Sequence, residues 1–312
     1  MTDRALDAPL LERTDDALAR PLPEALTRAR IDAAAAVADL LAIPEAALTK
    51  PWDWIGGSEE EVRYGAYRAA ETLELAEIEA RTILAPTRSG ETRAALLIGP
   101  ATAARWDLQG LLAPLVDADL DADPGNDEWP IRTVVGHTIV GQRAYGWGSA
   151  WWITNPHVVG DPALPASVPD EFWETLPDDA EGAPGPIADI RAAFDAALDL
   201  AAERLAGIAD DRLELAARWS GYAVTVGFRF GRWSSHIREH AIQVEKTLVM
   251  LGRTPTEPER LARHVLAAYG RAEAAVFARR PGSETDAAAR RIAAGAAEAR
   301  EAVSAIRKAS GA

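Results

Sequence analysis

Three of the five histidines in this chain are spaced to bind one metal ion. His236 and His240 form an H-x-x-x-H pair in the segment RWSSHIREHAIQVEKTLVML. Residues four apart lie about one turn apart on the same face of a helix, so both imidazoles can bind one ion. His137 lies in an earlier segment with helical character, WPIRTVVGHTIVGQRAYGWG, and would supply a third nitrogen. Three imidazoles leave positions open for water or substrate, which is typical of catalytic rather than structural metal sites.

The apolar stripe of the last long helix places the histidine pair on its buried face. In steps of three and four residues the stripe passes through Trp219, Val226, Phe230, Trp233, His236, His240, Val244, Leu248 and Leu251. We therefore expect both imidazoles to face the interior of a helical bundle. A metal ion would satisfy two buried imidazoles without burying two positive charges. The alternative is a solvent-facing pair beside Arg238 and Glu239.

His137 is surrounded by small residues. They are Gly136, Gly141, Ala144 and Gly148. Each glycine inside a helix costs about 1 kcal/mol relative to alanine, so these positions predict either close helix packing or space for a ligand. Packing alone is the alternative, because a single histidine in a helix is more often a hydrogen-bonded core residue. His157, in a loop, and His264, on a charged helical segment, are expected to have no direct role.

Several residues near the pair are candidates for binding substrate. Arg229 precedes His236 by two turns and suits a carboxylate, although a salt bridge to an acidic neighbour is the alternative. Arg232 is a weaker candidate of the same kind. Gln243, one turn after His240, is placed either to orient a ligand or only to pack. Trp233 belongs to a group of aromatic residues that would line an apolar pocket or fill the core. Its other members are Tyr145, Trp147, Trp151, Trp152, Trp219 and Tyr222. The sequence singles out no general base.

Composition limits the possible partners and chemistry. The net charge of -15 disfavours nucleic acids and anionic membrane surfaces. The chain has no cysteine, so any thiol chemistry needs a thiol cosubstrate. No secretion signal or membrane-spanning stretch is recognised, which predicts a cytoplasmic protein acting on a small molecule.

Helical spacing dominates the chain and predicts an all-α fold. Helices are expected over 22–43, 91–113 (interrupted at Gly99-Pro100), 256–279 and 285–309. Four long helices are expected to form the core, over 58–85 (with a capping box from Ser58 to Glu61), 129–153, 187–206 and 211–251. Residues 1–20 are expected to be a loosely held leader, and residues 154–186 a structureless insertion with an amphipathic island at EFWETL.

These segments resemble the DinB-like superfamily of four-helix bundles, which includes the amino-terminal domain of mycothiol-dependent maleylpyruvate isomerases. Its signature is one histidine on the second core helix, matched by His137 in TVVGHTIVGQ, and an H-x-x-x-H pair on the last, matched in HIREHAIQVEKTLVMLG. WDWIGGSEEEVRYGAYRAAETLE and EWPIRTVVGH are also similar to the family. The resemblance covers about residues 45–252. It predicts a DinB-like bundle at 45–252, between a leader and helix at 1–44 and a helical extension at 253–312.

The resemblance implies a divalent metal, zinc or nickel, held by His137, His236 and His240. It also implies a transferase or isomerase that uses a low-molecular-weight thiol such as mycothiol on an electrophilic substrate. Two other functions stay open. One is a non-catalytic binding or regulatory bundle with a structural or vestigial metal site, whose alanine-rich carboxy-terminal helices would pack on a partner subunit in a homodimer. The other is metal-assisted hydrolysis. No H-E-x-x-H, E-x-x-H, phosphate-binding loop or dinucleotide fingerprint is present.

Overall fold

The computed structural model describes residues 23–53, 59–88, 90–174 and 183–312. Within these ranges the chain is almost entirely helical, with two small antiparallel hairpins. The α-helices are α1 (Glu24–Leu41), α2 (Val62–Leu84), α3 (Arg93–Leu112), α4 (Asp117–Leu120), α5 (Ile131–Thr154), α6 (Asp170–Trp173), α7 (Ile187–Leu205), α8 (Asp210–Leu213), α9 (Val226–Met250), α10 (Glu257–Ala274) and α11 (Ser283–Ser310). The strands are β1 (Pro51–Asp53), β2 (Glu59–Glu61), β3 (Ala216–Trp219) and β4 (Tyr222–Thr225). The predicted all-α class is confirmed.

Four helices form a bundle around the first hydrophobic core. Helix α3 packs on α9, α9 on α5, α5 on α7 and α7 on α3, which closes the ring. Large side chains from three of these helices fill the centre, among them Trp147, Trp152, Phe194, Phe230 and Trp233. Burying apolar faces of this kind supplies the main driving force for packing. The bundle therefore holds α5 and α9, which carry the three histidines, against each other.

One predicted core helix is wrong. The helix expected over 58–85 is α2, and its apolar face packs on α10 and α11 rather than in the histidine-bearing bundle. Its place is taken by α3, which runs without a break through Gly99 and Pro100. Pro100 lacks the backbone N–H of an ordinary helical residue, but burial of the flanking apolar residues keeps the helix continuous.

Helices from both ends of the chain form a second core. Helices α1 and α2 each pack against both α10 and α11, and α10 also packs along α3. Alanine dominates the buried positions, so the helices approach closely. At Gly65, for example, an added Cβ would collide with Ile306. The segments described in the sequence as an amino-terminal helix and a carboxy-terminal extension thus pack together. The division at residues 44 and 252 itself stays a prediction.

The helix predicted over 211–251 is interrupted at its start. Residues 216–225 form the hairpin β3–β4, whose register pairs Ala216 with Thr225. Ser220 and Gly221 have positive φ angles of 46° and 84°, as a tight two-residue hairpin loop requires. Thr225 then caps α9, its hydroxyl accepting a hydrogen bond from the Phe228 N–H at 3.1 Å. The expected continuous stripe therefore begins at Val226, and Trp219 reaches the bundle from the hairpin.

The described residues of the 154–186 segment include a short helix that packs against the bundle. Its amphipathic island contains α6, from which Phe172 and Trp173 pack on the first core. Residues 175–182, the leader at 1–20 and the expected cap at Ser58 lie outside the described residues. In the described part, α2 begins at Val62 rather than at Ser58. None of the described helices combines the length and apolarity that a membrane crossing needs.

Candidate metal centre

The three candidate ligands lie on two facing helices. His137 is on α5 near its amino-terminal end, and its side chain is exposed. His236 and His240 are one turn apart in the middle of α9 and are partly buried. Because α5 and α9 pack side by side, the triad sits at the open edge between them. The pair is thus neither deeply buried nor solvent-facing.

The three imidazoles converge. One potential ligand nitrogen from each lies within 4.8 Å of the other two. The two Nε2 atoms of His236 and His240 are 3.1 Å apart. Two nitrogens that each lie about 2.0–2.1 Å from one tetrahedral ion are separated by about 3.3 Å, so the observed spacing suits a shared ion. The ring of His137 is centred 4.8 Å from that of His240 and 5.5 Å from that of His236.

Gln243 sets the tautomer of His240. Its Oε1 lies 3.0 Å from His240 Nδ1, and a carbonyl oxygen can only accept, so Nδ1 carries the proton. The Nε2 of His240 then has a free lone pair, directed at His236. An acceptor behind the imidazole is the usual arrangement for a metal-binding histidine.

His236 is held as a neutral imidazole with an unsatisfied nitrogen. Its Nδ1 is buried and has no hydrogen-bond partner among the described residues. Burial, followed by the neighbouring His240 and His137 and by Arg232, lowers the pKa of His236 to about 3. Burial is also the largest cause lowering the pKa of His240. Neutral imidazoles are the form that binds metal, so these surroundings suit a cation better than protons.

Gly141 makes room for the ring of His236. It follows His137 by one turn on α5, and a Cβ built there would lie 2.6 Å from His236 Nδ1. Real Cβ contacts are essentially never this short, so any side chain at 141 would displace the imidazole. Of the two alternatives for the small residues near His137, close helix packing holds at this position, because the His236 ring fills the space. A similar close approach occurs at Gly148, beside Trp173 and Arg229.

Aromatic rings flank the triad on both sides. Trp129, just before α5, lies 5.3 Å from His137 between ring centres. On the other side, Tyr145 lies 5.3 Å from His236. The hydroxyl of Tyr145 accepts a hydrogen bond from Trp219 Nε1 at 3.2 Å, which fixes the hairpin against the bundle. Sequence reasoning missed Trp129, because it precedes the helix and no periodicity relates it to His137.

Arg229 is a buried cation whose partners are neutral. Its Nε donates to Ser149 Oγ at 3.0 Å and its Nη1 to the Arg218 carbonyl at 2.5 Å, while its Nη2 donates to the carbonyl of Ala144. Its guanidinium also lies over the ring of Tyr145. In the described part of the chain it has no ion pair with a carboxylate, so the salt bridge considered as an alternative is wrong. Burial lowers the pKa of Arg229 to about 10.

The other candidates for substrate binding lie in different surroundings, Arg232 among charged residues and Trp233 in the core. Arg232 pairs with Glu239 at 2.5 Å, donates to Ser235 and lies over the ring of Trp219. Trp233 is fully buried and its indole N–H donates to the side chain of Gln142 in the core. Its predicted contact with substrate would therefore need a pocket that reaches the bundle interior. His157 pairs with Asp161 in the loop, away from the triad.

The fold and the site together define a four-helix bundle with an imidazole cluster between two of its helices. Residues 101–244 match the family model of the DinB superfamily, and this segment includes all three histidines. The resemblance to this superfamily that was inferred from the histidine pattern is therefore confirmed over this segment. No curated protein and no solved structure compared with the chain gives a significant match.

Proposed function

We propose that the chain is a metal-dependent DinB-like enzyme in which His137, His236 and His240 hold one divalent metal, zinc or nickel. The observation that carries the proposal is the convergence of three imidazole nitrogens within 4.8 Å of one another. Two further features fit a cation there: the proton of His240 is directed away from the cluster, and His236 is neutral. Three protein ligands leave a position for a further molecule.

The reaction we propose is transfer or isomerisation that uses a low-molecular-weight thiol, mycothiol being one example, on a small electrophile. A divalent metal supplies Lewis acidity, which favours the reactive thiolate form of a thiol bound to it. The chain has no cysteine, so the thiol must come from outside. The exposed side of His137 gives such a molecule access to the cluster.

Arg229 is our candidate for recognising a negative group on the thiol or the electrophile. A guanidinium buried among neutral acceptors has no compensating charge in the described chain, and burying an uncompensated charge is costly. An anionic ligand group beside it would lower that cost. Tyr145 contacts both the Arg229 guanidinium and the His236 ring, so it connects this candidate with the imidazole cluster.

Metal analysis tests the first part of the proposal. Protein purified without an affinity tag and dialysed against zinc or nickel should contain about one metal per chain. The variant His236→Ala should lose that metal, while His264→Ala, an exposed histidine on α10, should keep it. Less than a tenth of an equivalent in the unmodified protein would overturn the proposal.

Activity on a reactive electrophile, with and without added thiols, tests the second part. Turnover that needs both metal and thiol supports the transferase or isomerase. Turnover that needs metal but no thiol would overturn the thiol step in favour of hydrolysis. A protein that binds metal but shows no turnover with any of the thiols would favour a binding or regulatory role.

A further inference from the structure

A cavity of about 280 Å³ lies on the opposite side of α9 from the histidines. Arg238, between His236 and His240 in the sequence, lines it, and residues two apart on a helix point in nearly opposite directions. The other walls come from α2, α3 and α10, so the cavity lies where the two helical cores meet. Concave sites between packed units are common places for small ligands.

The charged residues of this cavity are mostly arginines. Its six charged lining residues are Arg81, Arg238, Arg271, Arg279, Glu77 and Glu91. In the whole chain acidic residues outnumber basic ones, 48 to 33, whereas here arginines outnumber glutamates two to one. A net positive cavity in a strongly acidic protein selects for anions, because the rest of the surface repels them.

The two glutamates do not neutralise all four arginines. Glu77 lies 2.9 Å from Arg81 and 3.7 Å from Arg271. Glu91 lies 3.2 Å from Arg279 and also pairs with Arg88 in the adjoining loop. Each glutamate is thus shared between two guanidinium groups, which leaves positive charge uncompensated. Arg271 also pairs with Glu74 at 2.6 Å, so Arg238 is left as the arginine of the lining with no carboxylate partner among the described residues.

Arg238 has no hydrogen bond or ion pair with any residue that the structure describes. It approaches the cavity from α9, facing the group of arginines on α2 and α10 and in the loop after α10. The apolar part of the lining includes Leu96, Pro100 and Phe277. All donors of a guanidinium are N–H groups arranged to match oxyanions, so a ligand oxyanion would satisfy Arg238.

We propose that this arginine cavity binds a small oxyanion, such as inorganic phosphate or the phosphoryl or carboxylate groups of a metabolite. Arg238 provides the free guanidinium, and Arg271 and Arg279 enclose the ligand from the other side. The site is separate from the imidazole cluster and does not depend on the function proposed above.

Isothermal titration of the full-length protein with inorganic phosphate and with malonate, at constant ionic strength, tests the proposal. We expect one site per chain for at least one of the two dianions. The variant Arg238→Gln should weaken it roughly tenfold or more, as loss of a charged hydrogen-bonding partner does. Arg260→Gln is the matched control, since Arg260 is also exposed and has no carboxylate partner in the described chain, but does not line this cavity.

The two ligands separate the possible sources of the anion. Preference for phosphate assigns the site to phosphoryl groups, and preference for malonate assigns it to dicarboxylates. The proposal is overturned if neither dianion binds, or if Arg238→Gln and Arg260→Gln bind like the unmodified protein. A phosphate bound instead at the imidazole cluster would be insensitive to Arg238, because that side chain lies on the other side of α9.

Discussion

Two clusters of titratable groups occupy contrasting places in this molecule. The imidazole cluster lies at the open edge between α5 and α9, whereas a carboxylate cluster is buried where α1, α3, α7 and α10 meet. At the centre of the latter, Glu273 accepts hydrogen bonds from Arg30, Arg105, Thr102 and Tyr269 at 2.6–2.9 Å. Neither Glu273 nor the side chain of Arg105 is exposed at all.

The carboxylate cluster has nearly all of its partners within the protein. Asp199 on α7 accepts from both Arg30 and Arg105, so each guanidinium contacts two carboxylates. Burial would raise the pKa of Glu273, but the charges of Arg30 and Arg105 outweigh it and hold the pKa well below its usual range. The one unsatisfied donor is Arg105 Nε, 3.8 Å from Asp195.

The imidazole cluster shows the opposite pattern. His236 has an unsatisfied nitrogen, and the Nε2 atoms of His236 and His240 face each other with no other acceptor or donor between them. Buried polar groups in proteins are normally satisfied, so an exception calls for an explanation. The difference separates a cluster that joins parts of the fold from the cluster at which we propose that a metal binds.

Replacing Glu273 by glutamine should break the carboxylate cluster and have the largest effect. The change removes the charge that compensates Arg30 and Arg105 while preserving volume, and breaking a buried ion pair costs about 3–5 kcal/mol. The free energy of unfolding, measured with denaturant at pH 7, should fall by that amount. Glu79→Gln is the control, because Glu79 pairs with Arg291 at the surface and should contribute less than about 1 kcal/mol. Equal effects in the two variants would contradict a central role for Glu273.

The contribution of Glu273 to the free energy of unfolding should depend on pH. Because the folded pKa of Glu273 is lowered, its stabilising contribution is complete above the unfolded value of about 4.3 and is lost as pH falls through the folded pKa. Protonated Glu273 is neutral, like glutamine. The stability difference between the unmodified protein and Glu273→Gln should therefore be constant from pH 7 to about 5 and shrink below about pH 4. Urea unfolding across this range would measure it, and a difference independent of pH would contradict the charged role.

The two clusters also differ in how far the sequence predicted them. The spacing of His236 and His240 is local, and one helical period was enough to place the two imidazoles side by side on α9. Glu273 and Arg30 are 243 residues apart, and no local pattern relates them. The misplaced core helix has another cause. Gly99-Pro100 argued against a long helix over 91–113, and only the packing of α3 on α9 and α10 keeps it continuous. The hairpin β3–β4 was missed because its three alanines favour helix, while the positive φ angles at Ser220 and Gly221 form the turn that no helix contains.

Replacing Gly141 by alanine should weaken metal binding at the imidazole cluster. The added Cβ would lie 2.6 Å from His236 Nδ1 and displace the ring, and overpacking of this kind costs about 1–3 kcal/mol. Affinity for zinc should fall by about tenfold to a hundredfold, measured by competition with a chromophoric chelator. Gly231→Ala on α9 is the control, because its Cβ would meet only Leu97 at 3.6 Å. If both variants bind zinc as tightly as the unmodified protein, Gly141 does not position His236.

Removing the acceptor behind His240 should have the smallest effect, and it tests whether the imidazole cluster is arranged for a metal at all. Gln243→Ala deletes the carbonyl that holds the Nδ1 proton of His240. Zinc affinity should fall by about tenfold, because the imidazole itself remains. This is the lower end of the loss seen when a residue that hydrogen-bonds to a metal ligand is removed. Gln243→Glu keeps an acceptor at the same distance along the side chain and should retain the affinity. If alanine and glutamate weaken zinc binding equally, Gln243 acts through packing alone. Recovery in the glutamate variant, with unchanged unfolding of the metal-free protein, would instead show that the hydrogen bond prepares His240 as a ligand.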